Sequence, residues 1–401
     1  MIPTLIFQLW LCGLVSLGIL GGAAYVAHRW YRLSWSWDEG LRISVFRPDF
    51  GLNEATFLLA AALSLLALAF FGRGLVKLLI RLRASSKRRQ DTPAADSVLP
   101  ASVERLSRPD GSELRVEIYG PDDGIPIVLS HGWGLDGSEW TYFKREMSDR
   151  FRLIVWDEPG LGESTRPANR DYSLDNLAHD LEAVLAFAGN RPAILLGHSI
   201  GGMIVLTFCR LFPDALAHRV QGLILTHTTP TNPVRTTSGA PFLVAIQKPI
   251  LLPLLWLTIV LSPLVRLLNW FSYRNGSLHL STKRSSFAGT ETWEQLDFAA
   301  RFQVRASPAV LARGMLGMMK YEARDVLSQI GVPTLVVAGD RDRVTLPQAS
   351  EAITAAVPNA RLVRLTPGRH LGLVEHHGRF AAEVRQFIFS TPAGFERPAE
   401  V

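Results

Sequence analysis

The distribution of hydrophobic and polar residues divides the chain into an apolar N-terminal part and a longer part of mixed character. Residues 5–27 carry no formal charge, and residues 55–71 form a second uncharged run, which reaches residue 80 if its two basic side chains extend toward the membrane surface. A helix of about 20 apolar residues spans a bilayer. We therefore expect a membrane anchor over residues 1–83, with transmembrane helices at about 5–27 and 55–80.

Each apolar run has an alternative interpretation. The first resembles the core of a cleaved signal peptide, but it lacks the preceding Lys or Arg that such a peptide has. The second is compatible with a buried core helix. Trp30, Trp35 and Trp37 follow the first run, as expected for side chains at a membrane interface, and they favour the two-helix hairpin.

Basic residues near the two runs predict the orientation of the hairpin, because loops rich in Lys and Arg stay in the cytoplasm. Seven basic residues follow the second run with no acidic residue among them, against four between the runs, which places the C-terminal domain in the cytoplasm. Arg29 and Arg32, directly after the first run, argue for the opposite orientation. The seven could also lie against anionic headgroups; they are Arg73, Lys77, Arg81, Arg83, Lys87, Arg88 and Arg89.

The pattern changes after a linker of Ser, Pro, Ala and charged residues at 84–102. Short apolar runs then alternate with helical stretches over residues 103–392, and residues 393–401 form a flexible tail. Strands buried in a parallel sheet have this character, and the alternation predicts an α/β fold. The predicted strands are 114–118, 125–130, 153–156, 193–196, 222–226, 333–338 and 361–365, and the predicted helices are 140–149, 174–188, 203–212 and 349–357, with 384–389 in a terminal helix.

The strand pattern stops between about residues 228 and 330, an insertion too long for a simple loop. Within it, residues 241–273 are strongly apolar, but Pro249, Pro253 and Pro263 argue against one straight spanning helix. The alternatives are a helical subdomain over the sheet, a lid that also enters the bilayer, and a third transmembrane helix. The first is favoured, because a third span would divide the sheet between two sides of the membrane.

Composition narrows the classes of function. Hydrophobic residues make up 48% of the chain and charged residues 19%, which favours membrane lipids as partners. The net charge of +6 is unevenly distributed, and we predict no nucleic-acid partner. Cys12 and Cys209 form no metal or disulfide framework, and no phosphate-binding glycine motif occurs, so no metal or cofactor is predicted.

One pentapeptide indicates catalytic chemistry. Gly197-His198-Ser199-Ile200-Gly201 lies between a predicted strand and a predicted helix. This is the pattern of a nucleophile elbow, in which a tight turn exposes the serine hydroxyl above the sheet. A glycine-rich turn with a capping serine is the alternative. Ser199 is therefore our candidate nucleophile.

A serine nucleophile needs a base, and the base needs an orienting acid. Asp342 follows strand 333–338 in the turn Gly339-Asp340-Arg341-Asp342, and His370 follows strand 361–365. Because ligands bind at the carboxyl ends of parallel strands, we expect both side chains beside Ser199. Asp340 is the alternative acid, and turn formation is an alternative role for both aspartates.

Attack on a carbonyl builds negative charge on its oxygen, which hydrogen-bond donors must stabilise. We expect these donors to be the backbone N–H groups of Ile200, after the serine, and of Trp133. Trp133 lies in His131-Gly132-Trp133-Gly134, which follows a predicted strand. We expect His131 to hold that loop.

Five segments, taken in order, resemble the signatures of the α/β-hydrolase superfamily over roughly residues 110–390. They are HGWG at 131–134, DEPGLGES at 157–164, GHSIGG at 197–202, GDRD at 339–342 and GRH at 368–370. The resemblance implies a mostly parallel sheet with helices on both faces, a cap domain in the 228–330 insertion, and a structural role for residues 157–164. It also implies Ser199 as nucleophile, Asp342 as acid and His370 as base. Haloalkane dehalogenases and epoxide hydrolases have aspartate at the elbow, and the serine weighs against both activities.

These features together predict a membrane-anchored, lipase-like serine hydrolase. It would cleave a carboxylic ester of an apolar or acyl-lipid substrate, such as a monoacylglycerol, through an acyl-enzyme on Ser199. The same three residues could instead serve hydrolysis of a C–C bond, an amide or a thioester, or perhydrolysis without a cofactor. A catalytically silent membrane scaffold is a further alternative, because fold does not imply function.

Overall fold

The computed structural model of the protein describes residues 2–83 and 98–390. Most of the predicted linker and the predicted tail at 393–401 lie outside the described residues. The described chain divides into two units. One contains the N-terminal residues from Phe7 onward together with Pro263–Ser281, and the other contains the large sheet.

Two long helices and a short hairpin form the N-terminal part. Helix α1 covers Ile2–Leu33, and helix α2 covers Glu54–Arg83. Both extend beyond the predicted apolar runs, because helix-forming residues continue on either side of them. Between them, strands β1 (Trp35–Asp38) and β2 (Ile43–Phe46) pair antiparallel. The hairpin was not predicted, since each strand has only four residues and no strand-like run.

An eight-stranded sheet with flanking helices forms the centre of the second unit. The strands are β3 (Ser102–Ser107), β4 (Glu113–Tyr119), β5 (Ile125–Ser130), β6 (Phe151–Trp156), β7 (Ala193–His198), β8 (Val220–Thr226), β9 (Thr334–Gly339) and β10 (Ala360–Leu365). The helices that follow α2 in the chain are α3 (Thr141–Met147), α4 (Leu174–Phe187), α5 (Ile200–Leu211), α6 (Pro213–Arg219), α7 (Ala240–Ile246), α8 (Leu252–Val260), α9 (Ser262–Arg274), α10 (Ser277–Ser286), α11 (Trp293–Arg305), α12 (Pro308–Met318), α13 (Pro347–Ala356), α14 (Gly372–Glu375) and α15 (His377–Ser390). Of these, nearly all of α9 and the first half of α10 belong to the first unit.

The strand order is β10-β9-β8-β7-β5-β6-β4-β3. Strands β5 to β10 run parallel to one another, whereas β4 runs antiparallel to β6 and β3. This confirms the predicted α/β class and its mostly parallel sheet. All seven predicted strands are present; β3 was not predicted, because most of its residues are exposed and two are charged. The central strands β7 and β9 are buried throughout, as their uniformly apolar sequences require.

The insertion between β8 and β9 is helical and contains α7 to α12. Its apolar stretch stays helical over Ala240–Val260, although two prolines interrupt the hydrogen-bond pattern. A π-helical turn at Gln247–Leu251 accommodates Pro249, and Pro253 occupies the first turn of α8, where a missing N–H costs little. A break at Leu261 then separates α8 from α9.

Three helical stretches of the described chain are long and apolar enough to cross a membrane. They are Leu5–Leu33, Glu54–Leu82 and Ala240–Val260. The first two match the positions of the predicted transmembrane helices, and the third lies in the insertion.

Within the first unit, polar side chains join α1 to the insertion segment Pro263–Ser281. The hydroxyl oxygens of Ser16 and Ser272 are 2.9 Å apart, and Nδ2 of Asn275 donates to Oγ of Ser16 at 2.9 Å. All three residues are buried. Hydrogen bonds of this kind hold helices together where the surroundings are apolar on all sides.

Helix α2 packs against the same segment through a glycine. A Cβ atom built on Gly72 would lie 2.5 Å from the carbonyl oxygen of Asn275, and nearby the guanidinium of Arg73 lies 4.8 Å from the centre of the Tyr273 ring. Gly74, two residues further along α2, has no neighbouring atom within 4 Å of a built Cβ. The N-terminal helices and part of the insertion therefore share one packed unit.

Alanine substitution at these two glycines tests this packing. We expect G72A to lower the stability of the first unit by about 1–3 kcal/mol, because the new methyl group overpacks the contact. G74A is the matched control, and we expect it to raise stability by about 0.5–1 kcal/mol, since alanine favours a helix. Limited proteolysis of the full chain in detergent, with cleavage mapped within 263–281, measures the difference. Equal protection of that segment in both variants would contradict the contact.

Candidate active site

Ser199 lies in a strained turn between β7 and α5. Its backbone angles are φ 55° and ψ −113°, in the region that non-glycine residues rarely adopt. The flanking glycines allow the turn to close. A Cβ atom on Gly197 would lie 2.3 Å from the backbone carbon of Gly201, and one on Gly201 would lie 2.1 Å from the carbonyl oxygen of Ser130. The pentapeptide thus folds as the strand–turn–helix elbow that its sequence predicts.

Ser199, His370 and Asp342 form a chain of hydrogen bonds at the carboxyl ends of β7, β10 and β9. Nδ1 of His370 donates to Oδ2 of Asp342 at 2.8 Å. Nε2 of the same ring is therefore free to accept, and it lies 3.1 Å from Oγ of Ser199. The three side chains are buried, with exposures of 1% to 2%. In this geometry the histidine can take the serine proton.

The surroundings of Asp342 and His370 set their charge states. Burial disfavours an ionised Asp342, but the neighbouring His370 and its hydrogen bond hold the pKa of this carboxyl well below its usual range. The backbone N–H groups of Val344 and Thr345 also donate to its Oδ1, at 2.8 and 3.2 Å. Burial lowers the pKa of His370 to about 3, although Asp342 acts in the opposite direction. The resting site thus pairs an ionised carboxylate with a neutral imidazole.

Asp340, the alternative acid, lies elsewhere in the turn. Its Oδ1 accepts the backbone N–H of Gly368 at 2.7 Å and so holds the loop that carries His370. Asp342, the second aspartate of the turn, is therefore the one that contacts His370.

The two residues expected to stabilise an oxyanion follow β5 and Ser199. Within the described residues, no acceptor is found for the backbone N–H of Trp133 or Ile200. Both therefore remain available to a ligand. The Trp133 side chain is fixed from the insertion: its Nε1 donates to the carbonyl oxygen of Leu311 in α12 at 3.0 Å, and a Cβ atom on Gly314 would lie 1.9 Å from the indole.

In the loop after β6, side chains hold the backbone in place through hydrogen bonds. Oδ1 and Oδ2 of Asp157 accept the backbone N–H groups of Gly137 and Glu163, at 2.6 and 2.9 Å. His131 fixes the neighbouring loop, since its Nε2 accepts the backbone N–H of Glu158 at 3.0 Å. Its ring therefore carries no proton on that nitrogen and is neutral. Burial raises the pKa of the Glu158 carboxyl to about 8.

Two more histidines and a glutamate, none of them predicted, lie beside the three central residues. His227 follows β8, and its Nδ1 lies 3.4 Å from Oδ2 of Asp342 and accepts the backbone N–H of Gly339 at 3.1 Å. His198 and Glu139 contact each other, and the ring centres of His198, His227 and His370 lie 5.0 to 6.0 Å apart. A histidine after a central strand was a usable signal for His227. His198 occupies a position of the elbow pentapeptide that the pattern leaves open, and Glu139 lies in none of the motifs, so neither was marked.

A cavity of about 580 Å³ opens on the far side of the Trp133 loop. Arg115, Glu117, Lys144 and Asp157 line it, and none of Ser199, Asp342 and His370 does. It therefore does not serve as the pocket for the group that Ser199 would attack.

Comparison with known proteins identifies the fold family. Residues 125–377 match the family model described as the alpha/beta hydrolase fold. A pimeloyl-[acyl-carrier protein] methyl ester esterase from Xanthomonas axonopodis pv. citri is 26% identical over 279 residues, covering 70% of this chain and 100% of the relative. The enzyme of the same name from Aeromonas salmonicida is 28% identical over 280 residues, covering 69% and 99%.

Solved structures share the fold. The esterase RhEst1 from Rhodococcus sp. ECU1013 has a TM-score of 0.59 at 23% identity, covering 72% of this chain and 99% of that one. A bromoperoxidase from Bacillus anthracis also has a TM-score of 0.59, at 21% identity, covering 72% and 100%. With the family model matched across most of the sheet and the elbow formed at Ser199, the chain belongs to the alpha/beta hydrolase fold family.

Proposed function

We propose that this protein is a serine hydrolase that cleaves a carboxylic ester through an acyl-enzyme on Ser199. The hydrogen-bonded chain Ser199–His370–Asp342, with distances of 3.1 and 2.8 Å, is the observation that carries the proposal. Family membership and the esterases among the relatives support hydrolase chemistry of the esterase type.

The proposed acylation half follows from the protonation states. Oγ of Ser199 attacks the ester carbonyl carbon while its proton passes to Nε2 of His370. The resulting oxyanion accepts hydrogen bonds from the N–H groups of Trp133 and Ile200. The carbon–oxygen bond to the leaving alcohol then breaks, and the alcohol oxygen takes the proton from His370. Asp342 stays ionised and stabilises the imidazolium while it exists.

Deacylation repeats these steps with water. His370 takes a proton from the water as its oxygen attacks the acyl carbon, and the second oxyanion occupies the same donors. Collapse returns the proton to Oγ of Ser199 and releases a carboxylic acid. One ester and one water thus give one alcohol and one acid.

We further propose that the N-terminal helices anchor the enzyme in a membrane and that its substrate is an apolar or acyl-lipid ester. Large apolar side chains on both helices are exposed, among them Leu11, Leu14, Phe57, Leu63 and Phe71. Their exposure to water would be costly, whereas acyl chains would cover them. Seven basic residues follow the uncharged run 55–71, against four between the two uncharged runs, and this excess supports a catalytic domain in the cytoplasm.

Substitution of the nucleophile tests the reaction. We expect S199A to lose labelling by a fluorophosphonate probe and to lose at least about 10³-fold of its kcat on p-nitrophenyl butyrate, because Ser199 supplies the hydroxyl that faces Nε2 of His370. S148A is the matched control, since Ser148 precedes β6 at the opposite edge of the sheet. Labelling that persists in S199A would overturn the assignment.

The lowered pKa of His370 predicts the acidic side of the pH profile. A general base works only when unprotonated, so kcat/KM should fall as the pH drops through its pKa. Because burial places that pKa at about 3, well below the usual 6.5, we expect wild-type kcat/KM to be nearly constant between about pH 5 and 7. Tryptophan fluorescence at each pH controls for unfolding. A fall centred near pH 6.5 in folded protein would contradict the prediction.

Membrane association is tested on the full chain expressed in bacterial cells. We expect the protein to stay in the membrane pellet after alkaline carbonate washing, which releases proteins held only by charge. A C-terminal green fluorescent protein should fluoresce, and a C-terminal alkaline phosphatase should be inactive. Release by carbonate would refute the anchor, and an active phosphatase would refute the cytoplasmic orientation.

A further inference from the structure

A buried glutamate crosses from the loop of Trp133 to the elbow of Ser199. Glu139 lies in a single 3₁₀ turn, Gly137–Trp140, between β5 and α3, and it is only 2% exposed. Its Oε2 accepts the backbone N–H of Gly132 at 2.8 Å. Gly132 directly precedes Trp133, so this bond fixes the peptide next to the proposed oxyanion donor.

The other oxygen of Glu139 contacts His198, the residue before Ser199. Oε1 lies 2.5 Å from Nδ1 of the fully buried His198 ring. On its far side, Nε2 of the ring lies 3.0 Å from the backbone carbonyl oxygen of His370. Gly132 also lies against this ring, since a Cβ atom there would be 2.7 Å from Nδ1.

These contacts form a continuous series across the site. A carbonyl oxygen only accepts hydrogen bonds, so Nε2 of His198 carries a proton. Nδ1 of His198 and Oε1 of Glu139 are in contact at 2.5 Å without hydrogen-bond alignment. The series runs from the N–H of Gly132 through Glu139 and His198 to the carbonyl group of His370.

We propose that Glu139 and His198 are positioning residues. They hold the loop that contains Trp133 and the loop that contains His370 in fixed positions relative to Ser199. This inference rests on the proposed ester hydrolysis. Neither side chain touches the three reacting groups through its own hydrogen bonds; each acts through the backbone of a neighbour. An oxyanion exists only after attack, so the two residues contribute to the transition state and little to substrate binding.

A pair of variants separates hydrogen bonding from burial. E139L/H198L removes all three contacts and leaves no unpaired buried charge, and such apolar replacements of buried polar pairs often keep a protein folded. E139Q is the matched control. Its amide oxygen can accept from Gly132, and its amide nitrogen can donate to Nδ1 of His198, which keeps the proton on Nε2.

The measurements compare a transition-state analogue with a ground-state ligand in the full-length protein. An alkyl trifluoromethyl ketone forms an oxyanion adduct with a serine, and the matching secondary alcohol does not. For E139L/H198L we expect kcat on p-nitrophenyl butyrate to fall about 10- to 100-fold and the ketone Ki to rise by a similar factor. KM and the alcohol Ki should change by less than about threefold, and E139Q should stay within about fivefold of wild type in every quantity.

The alternatives give different results. Unchanged kcat and ketone Ki in E139L/H198L would overturn the positioning role, and so would equal losses for ketone and alcohol or an unfolded double variant, because each assigns the pair to stability alone. Failure of the underlying reaction is distinct: wild-type protein would then show neither turnover nor Ser199 labelling.

Discussion

The elbow at Ser199 depends on one steric constraint, the close approach of α5 to the ends of β5 and β7. Gly197 and Gly201 lie where any Cβ atom would overlap backbone atoms, and the serine between them accepts a positive φ. A non-glycine residue adopts that conformation only when its surroundings impose it. Here the buried strands on both sides impose it, and the hydroxyl is held above the sheet where the loops after β9 and β10 converge.

Burial then determines the electrostatics of the site. The Asp342 carboxylate and the imidazole rings of His198, His227 and His370 are buried together. Because water does not reach these rings, their hydrogen bonds to protein groups decide which ring nitrogen carries a proton. Asp342 is held ionised by its donors, and His370 is held neutral by burial, although it lies against that carboxylate. Glu139, His198 and His227 complete the enclosure, and they fix the surrounding loops through backbone groups. A site this dry strengthens each of its interactions, because water does not compete for the donors.

The insertion has two kinds of packing. Helix α12 contacts the indole of Trp133, while Pro263–Ser281 packs with α1 and α2 through buried serines, an asparagine and a glycine. Small and polar residues at helix contacts are typical of helices in apolar surroundings, where shape and hydrogen bonds replace the hydrophobic effect. The N-terminal helices are thus packing partners for part of the insertion.

The sequence by itself determined the α/β class, seven of the eight strands of the large sheet, the long apolar helices and the order of the serine, aspartate and histidine motifs. These features depend on local patterns: apolar runs, turn residues and glycines beside a serine. The order of strands, the pairing of β3 with β4, and the choice of Asp342 over Asp340 were decided by the tertiary structure. The contacts of Glu139 with His198 and of Ser16 with Asn275 were also decided by the tertiary structure. Each joins residues that are distant along the chain, and the sequence around each residue gives no sign of the contact. Only the closed sheet and the packed helices bring such side chains within hydrogen-bond distance.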